Sequence, residues 1–453
     1  MNEKLMDRDY IAKTDFVYRT ENQPIFQNSY SSTIIDSEGN HYIDGEAANG
    51  SNSLGYDAEL INAATNISGN LPNIPSFLES DLRLSLANRI GFKINEQIGL
   101  KGKIAFETGG AQGIELALKM ALALSNNKTT VAVFEGGYHG RSPFTSNYSS
   151  SARYRECFKN TSMPVLRLPY PDCRRCRFSK NPTTCNVECL KFIKTSLEND
   201  FSGFHNEKNP PFAALIIEPI LNAGGIVIPD SRYLEGVVNY FRNMGVYIIV
   251  DEVFSGFYRT GKFLGLQNFN IKPDFIVMSK ALTNGMLPLS AVWINNAVYN
   301  DKILEPGLHS STFSNTPICF SLAHAVLDRF EKWRNIEHDI NKLGEKLKIM
   351  LDSIAKFEIV DSVQVIGATA RILLKKKVAA QIIDHARTAL KNKPINGIIG
   401  AIFASSSLAP EVIAITPSFT ITDNEIEIMK RALKNSLSAI SKEEINEKET
   451  VYS

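Results

Sequence analysis

The stretch DFIVMSKALTNGMLPLSAVWI, Asp274 to Ile294, decides how the chain is read. Phe275 to Met278 is an apolar run of strand length, followed by Ser279 and Lys280. A turn built on Asn284, Gly285 and Pro288 comes next, then a second apolar run. Short, nearly continuous apolar runs are how strands buried on both faces read. A lysine at the end of such a strand loses hydration, and desolvation lowers its pKa. An amine tuned that way is a nucleophile suited to forming an imine with a carbonyl. The plainer alternative is a lysine that merely opens a surface loop.

Working outward, the same pattern repeats. GKIAFET, TTVAVFEG, AALIIEPI and VYIIVDEV are further short apolar runs, with helical patterns from Ala111 and from about Ser231 between them. Helical periodicity also covers Glu79 to Ile94, and Pro317 to about Leu351 with a break around Trp333–Asn335. Ahead of Ser76 the chain reads as strands and turns, with a hairpin signal at Glu38-Gly39-Asn40. The reading is α/β, with a large domain over residues 77–325 holding a mostly parallel sheet. A small α+β domain comes from both chain ends, 1–76 and 326–440. The charged run from Ser441, residues 441–453, is expected to be a flexible tail.

Composition narrows the function classes. The chain has 453 residues, 43% apolar and 21% charged, with net charge +1. That balance offers nucleic acid or a membrane surface no electrostatic handle. The opening MNEKLMDRDYIAKTDF has charges of both signs and no apolar core, unlike a secretory signal. No apolar run approaches the ~20 residues that span a bilayer. A cytoplasmic protein is expected, without nucleic-acid or membrane partners, and its six cysteines as reduced thiols.

In open α/β sheets, ligands sit at the carboxyl ends of the strands. What stands there is informative. Gly109-Gly110-Ala111 turns straight into a helix, whose free backbone N–H groups suit an anion such as phosphate. Gly136-Gly137-Tyr138-His139-Gly140 sets an aromatic between glycines, where it can lie against a planar ligand. His139 reads equally well as a hydrogen-bonded structural histidine. Glu218 and Asp251-Glu252 end two more apolar runs, and an acid ending a buried strand must be paired or functional. A lysine for an imine, an acid for a pyridinium nitrogen, a helix start for a phosphate and a flat neighbour are the parts of a pyridoxal-phosphate site.

With those residues in view, the chain resembles the class III, 4-aminobutyrate/ornithine-type, aminotransferases of pyridoxal-phosphate fold type I. The similarity is carried by IIVDEVFSGFYRTGKFLGLQNFNIKPDFIVMSKALTNGMLPLSAV, Ile248 to Val292, and by GGYHGRS, LIIEPILNAGG and HSSTFSNTP. It spans roughly residues 20 to 435. The resemblance implies pyridoxal 5'-phosphate as cofactor, Lys280 as the Schiff-base lysine and proton carrier, and Asp251 as partner of the ring nitrogen. It further implies Val253 and Tyr138 on opposite ring faces, Gly110 and Ala111 at the phosphate, and Glu218 near the ring. Thr312 matches a threonine that reaches the neighbouring subunit's phosphate, which implies a homodimer with shared active sites.

Several positions depart from the family pattern. Ala111 replaces a hydroxyl, and Phe254 stands where many members have glutamine. Ala414 occupies the place of an arginine that clamps carboxylates in members using 2-oxoglutarate. Arg141 and Arg153 are the nearest sequence candidates to replace it. An insertion, residues 170–190, spaces Cys173, Cys176, Cys185 and Cys189 as C-x2-C-x8-C-x3-C, resembling a subset that includes amino-acid racemases. Those thiols could form a zinc knuckle, stay free or pair as a loop disulfide, and no metal is assigned to them. The function expected is an aminotransferase moving an amino group between an amine or amino acid and an oxo acid, through a Lys280 aldimine. The alternatives are an amino-acid racemase or epimerase, which shares every cofactor contact, and a catalytically silent binding relative.

Overall fold

The computed structural model describes residues 23–69, 73–75, 77–157, 163–199, 210–303, 305, 307–406 and 408–451. The opening stretch read against a secretory signal lies outside these residues, as does Ser76.

Seven strands form the central sheet, in the order Gly102–Glu107, Ser290–Asn295, Phe275–Met278, Tyr247–Asp251, Phe212–Ile217, Thr130–Phe134 and Val165–Leu168. Ser290–Asn295 runs antiparallel to both neighbours, and the remaining pairs are parallel. The mostly parallel sheet expected from the apolar runs is therefore present. Its alternation explains those runs. Val131, Val133, Ile216, Ile249 and Val277 face a core shared with Ile114 and Leu118 of the helix Gly110–Leu124. Ala132, Leu215, Ile248, Val250 and Ile276 face a second core with Leu234 of Ser231–Asn243 and Phe320 of Pro317–Lys332. Both faces are covered, so each residue of these strands gains from burial, about 1.5–3 kcal/mol per large aliphatic side chain. Gly113 lets the first helix lie close on the sheet: a Cβ there would stand 2.8 Å from Val277 and 2.9 Å from Ser290. That approach sets the helix start at the carboxyl edge of the strands.

A second sheet orders Phe26–Tyr30, Thr33–Asp36, His41–Asp44 and Ile398–Ile402. Its hairpin is the one the sequence signalled: Asp36 accepts from the N–H groups of Glu38 and Asn40, and Gly39 has φ +81°. Ile398–Ile402 joins His41–Asp44 in parallel, so this sheet ties together distant ends of the chain. A third, antiparallel sheet orders Val360–Ile366, Thr369–Leu374, Ala409–Ile415 and Ala404–Ser406.

Two expectations need correction. The segment read as strands and turns contains the helix Ala58–Ser68. Asp57 caps it by accepting from the N–H of Glu59, and buried Leu60 and Ala64 pack it near the helix Pro317–Lys332. The last helix, Asp423–Val451, runs on past Ser441, where a flexible tail was expected. Glu and Lys dominate that run, and both are good helix formers.

Candidate active site

Lys280 follows the strand Phe275–Met278 and opens the 3-10 turn Lys280–Thr283. Its own φ is +44°, a left-handed value that costs a side-chain-bearing residue about 1–2 kcal/mol. The following loop is pinned to make this possible. Asn284 accepts from the N–H of Leu54 at 2.8 Å and donates to the carbonyl of Gly55 at 2.9 Å. Lys280 is half-buried and lines a cavity of about 870 Å³. Burial lowers its pKa, opposed by Asp251, Glu218 and Glu46 and reinforced by Arg259. Its Nζ lies 5.3 Å from the centre of the Phe254 ring, so the departure at position 254 puts an aromatic face beside the amine.

Asp251 ends the neighbouring strand and is buried. Its Oδ1 accepts from the N–H of Val253 at 3.1 Å, and its Oδ2 lies 2.8 Å from Nδ1 of His139. Burial alone would lower the His139 pKa, but the hydrogen bond and charge of Asp251, with Glu218 beyond, raise it overall. His139 is thus a bonded partner of Asp251, a pairing that sequence reading left open. Glu218 follows the strand Phe212–Ile217. It accepts from the N–H of Tyr138 at 2.8 Å and from that of Asn222 at 3.2 Å. Burial pushes its pKa up, opposed by His139. Tyr138, 36% exposed, lines the same cavity as Lys280. Glu252 is paired: its carboxylate accepts from Ser255 Oγ and from the N–H groups of Gly265 and Leu266. Burial lifts it to about 7.

At the helix start, no side chain caps Gly109, so the first-turn N–H groups have no such competitor for an anion. A Cβ on Gly110 would lie 3.1 Å from Val253 and 3.8 Å from Ser279. The helix start, the Val253 turn and the approach to Lys280 therefore meet. Ala111 packs beside Gly140, whose φ of +125° demands glycine and where a Cβ would come within 2.7 Å of Ala111. Thr312 stands apart from this group. It is exposed, and its carbonyl accepts from Asn73 Nδ2 at 2.9 Å. Its loop is anchored by His309, whose Nε2 lies 3.2 Å from the buried carboxylate of Glu107.

The cavity wall also shows what sequence reading missed or misplaced. Arg141 lines it, stacked 5.5 Å from the Tyr138 ring and 4.8 Å from Tyr154; both it and Arg153 are exposed, but Arg153 is off the wall. Ala414 does face the cavity. Glu46, not singled out from the sequence, lines it as well. The signal available was an acid inside EAANGSNSLGY, a loop between two strand-like runs.

The insertion's four cysteines line a separate cavity of about 320 Å³ beside Tyr170 and Asp172. All six cysteines are free thiols, and no group of three or more metal-ligating side chains among the described residues could hold an ion. The insertion is fastened instead by Asp172, which pairs with both terminal nitrogens of fully buried Arg371, at 2.7 and 3.0 Å.

These residues fit pyridoxal phosphate. A glycine cradle at a helix start, a buried acid held by a histidine, a desolvated lysine and a lining tyrosine surround a cavity of ligand size.

The family model for class III aminotransferases matches residues 18–437. An adenosylmethionine-8-amino-7-oxononanoate aminotransferase of Geobacter sulfurreducens is 28% identical over 444 residues, 93% of each chain. A leucine/methionine racemase of Thermococcus litoralis is 33% identical over 245 residues, 54% of this chain and 52% of its own. A solved aminotransferase structure from Bacillus anthracis shares the fold, with a TM-score of 0.82 at 24% identity over 96% of this chain and 98% of that one.

Proposed function

The chain belongs to the class III aminotransferases, a pyridoxal-phosphate-dependent family, and we propose that Lys280 is its working amine. The observation that carries this reading is the desolvated Lys280 beside Asp251 on the wall of the large cavity. When bound, pyridoxal phosphate supplies an aldehyde for amine exchange and an electron sink for the carbon that bears the amine. Asp251 holds a negative charge where a ring nitrogen needs one, and His139 keeps that carboxylate oriented. Gly110 and Ala111 offer backbone N–H groups to the phosphate. Tyr138 and Val253 confine the ring, and Glu218 fixes the Tyr138 backbone. Lys280 Nζ would carry the proton away from the amine-bearing carbon and deliver it to a second carbon, the one that supplied the aldehyde; return to the first carbon belongs to a racemase. The lowered pKa of Lys280 leaves more of the amine neutral near pH 7, as a base must be.

We further propose a cytoplasmic homodimer in which Thr312 of one subunit serves the phosphate site of the other. Exposed apolar side chains support this: Phe313 is 67% exposed, Leu308 54% and Phe77 84%. Asn315 Nδ2 donates to the carbonyl of Leu78, which joins these segments into one patch. Such a patch on a free surface marks an interface.

A racemase is the second reading. It is favoured by the similarity to the Thermococcus litoralis racemase and by Ala414, which leaves an acceptor's carboxylate without an arginine there. One experiment separates the two: the holoenzyme is incubated with single-enantiomer amino acids, with and without pyruvate. An aminotransferase yields more than one equivalent of oxo-acid product per cofactor only with the acceptor. Inversion of the amino acid without any acceptor, and no oxo acid, would replace this reading with the racemase.

A further inference from the structure

Among the described residues two acids line the cavity wall, Glu46 and Asp384, and the proposed chemistry gives neither a task. Asp384 is paired with Arg387. No lysine or arginine among the described residues lies in an ion pair with Glu46. Its Oε1 accepts from the N–H of Asn49 at 2.6 Å, which leaves further lone pairs free.

The carboxylate is held in place at a cost. Ala47, Ala48 and Asn49 have φ of +47°, +51° and +57°, three left-handed residues with side chains ahead of Gly50 at +72°. Such strain persists only where surrounding structure over-determines it, and it gathers at ligand sites. Thr416 Oγ1 donates to the Glu46 carbonyl at 2.7 Å. Arg259 donates to the carbonyl of Gly50 at 2.8 Å and to Ser53 Oγ at 3.0 Å. Asn284, just after Lys280, grips the far end at Leu54. The same loop connections thus fix Glu46 and Lys280 relative to one another.

Its electrostatic surroundings are mixed. Burial lifts the Glu46 pKa to about 7, with Asp44 adding to the rise and the N–H of Asn49, then Lys280, opposing it. Arg259, fully buried, feels its charge as well, and so does Tyr56. Nearby stretches of wall are apolar, including Ile402, Phe403, Val412 and Ala414. A desolvated carboxylate in such a wall favours a ligand that brings a cation and a hydrogen-bond donor together.

We propose that Glu46 is a specificity-determining residue that receives the second ammonium group of a diamine or diamino acid whose other amine is presented to Lys280. This rests on the aminotransferase reading.

The test compares 1,4-diaminobutane with pentylamine, which replaces the second ammonium by a methyl group. L-Alanine serves as a control that needs no distal contact. Holoenzyme is assayed at pH 8 with 2-oxobutyrate as acceptor, so that alanine turnover appears as pyruvate, and equilibrium binding of each amine is followed by calorimetry. Wild type should favour the diamine at least about tenfold in kcat/KM and in affinity. Glu46→Gln keeps the acceptor for Asn49 and removes only the charge. It should erase that preference, mainly through KM, while alanine turnover is retained. Glu46→Asp should restore part of it. A wild-type preference for pentylamine, or a Glu46→Gln variant that loses both amines equally, overturns the proposal and leaves the aminotransferase reading intact if alanine still reacts. Failure of every amine to bind or react overturns both.

Discussion

Asp251 Oδ2 and His139 Nδ1 lie 2.8 Å apart, both side chains buried, at the floor of the candidate site. The raised His139 pKa means the imidazolium is favoured by folding, although burial works against it. The sign follows from linkage: this contribution is complete below the unfolded value of 6.5 and is lost as pH rises through the higher folded value. His139→Asn can still donate to Asp251 but carries no charge. The gap in unfolding free energy between wild type and this variant should narrow between pH 6 and pH 9, measured by urea titration. A gap independent of pH would mean that folding leaves the histidine unshifted, and a gap that widens as pH rises through 6.5 would mean that it is buried neutral.

Asp251→Asn keeps the shape of the side chain and removes its charge. A charge-assisted hydrogen bond at a buried site is worth on the order of 3 kcal/mol. Turnover should fall roughly a hundredfold, with the fold intact by circular dichroism. A rate near wild type would assign the ring nitrogen to some other group.

Lys280→Ala should remove turnover and the visible absorbance of lysine-bound cofactor, while thermal unfolding still reports a folded protein. Borohydride reduction of the wild type followed by peptide mapping should place the modification on Lys280. A label on any other lysine sinks the assignment.

Thr312→Ala tests whether the site is shared. With Ala111 lacking a hydroxyl, loss of a hydrogen bond to a charged phosphate, about 1.5–3 kcal/mol, should raise the cofactor Kd at least about tenfold. Sedimentation should show a dimer for both proteins. An unchanged Kd, or a monomeric wild type, would refute service across subunits.

Ala414 puts no guanidinium at its own place on the wall, where Arg141 is the lining arginine that Asp384 does not already hold, and an unmatched buried carboxylate costs several kcal/mol. The kcat/KM for 2-oxoglutarate should therefore fall below that for pyruvate, with Arg141 on the wall serving the single carboxylate. Arg141→Leu should raise the pyruvate KM about tenfold. Ala414→Arg should improve 2-oxoglutarate. If it does not, position 414 faces away from the bound acceptor.

Much of this was legible because it is local. Apolar runs covered on both faces announced the central sheet, and strand ends placed Asp251, Lys280, Glu218 and the Gly110 turn on one edge. The helix Ala58–Ser68 was legible too, from Asp57 as a cap with Leu60 and Ala64 four apart, but the hairpin before it drew the whole segment towards strands. Other features had no local signal. Nothing around His139 points to Asp251, 112 positions away. The preference for Arg141 over Arg153, both exposed, depends on which of them borders the cavity.

Glu46 shows the division most clearly. Sequence determines a strand's burial because neighbouring residues alone set its pattern of apolar side chains. The left-handed run that begins at Ala47, Ala48 and Asn49 goes against the preference of two of those residues, and glycine enters it only at its end, at Gly50. Contacts from Arg259, Asn284 and Thr416 impose it, each brought in from a distant part of the chain. Only the packed structure could decide that an acid in that loop would share a cavity with Lys280, because side chains share a cavity through the packing of distant elements and not through adjacency in sequence.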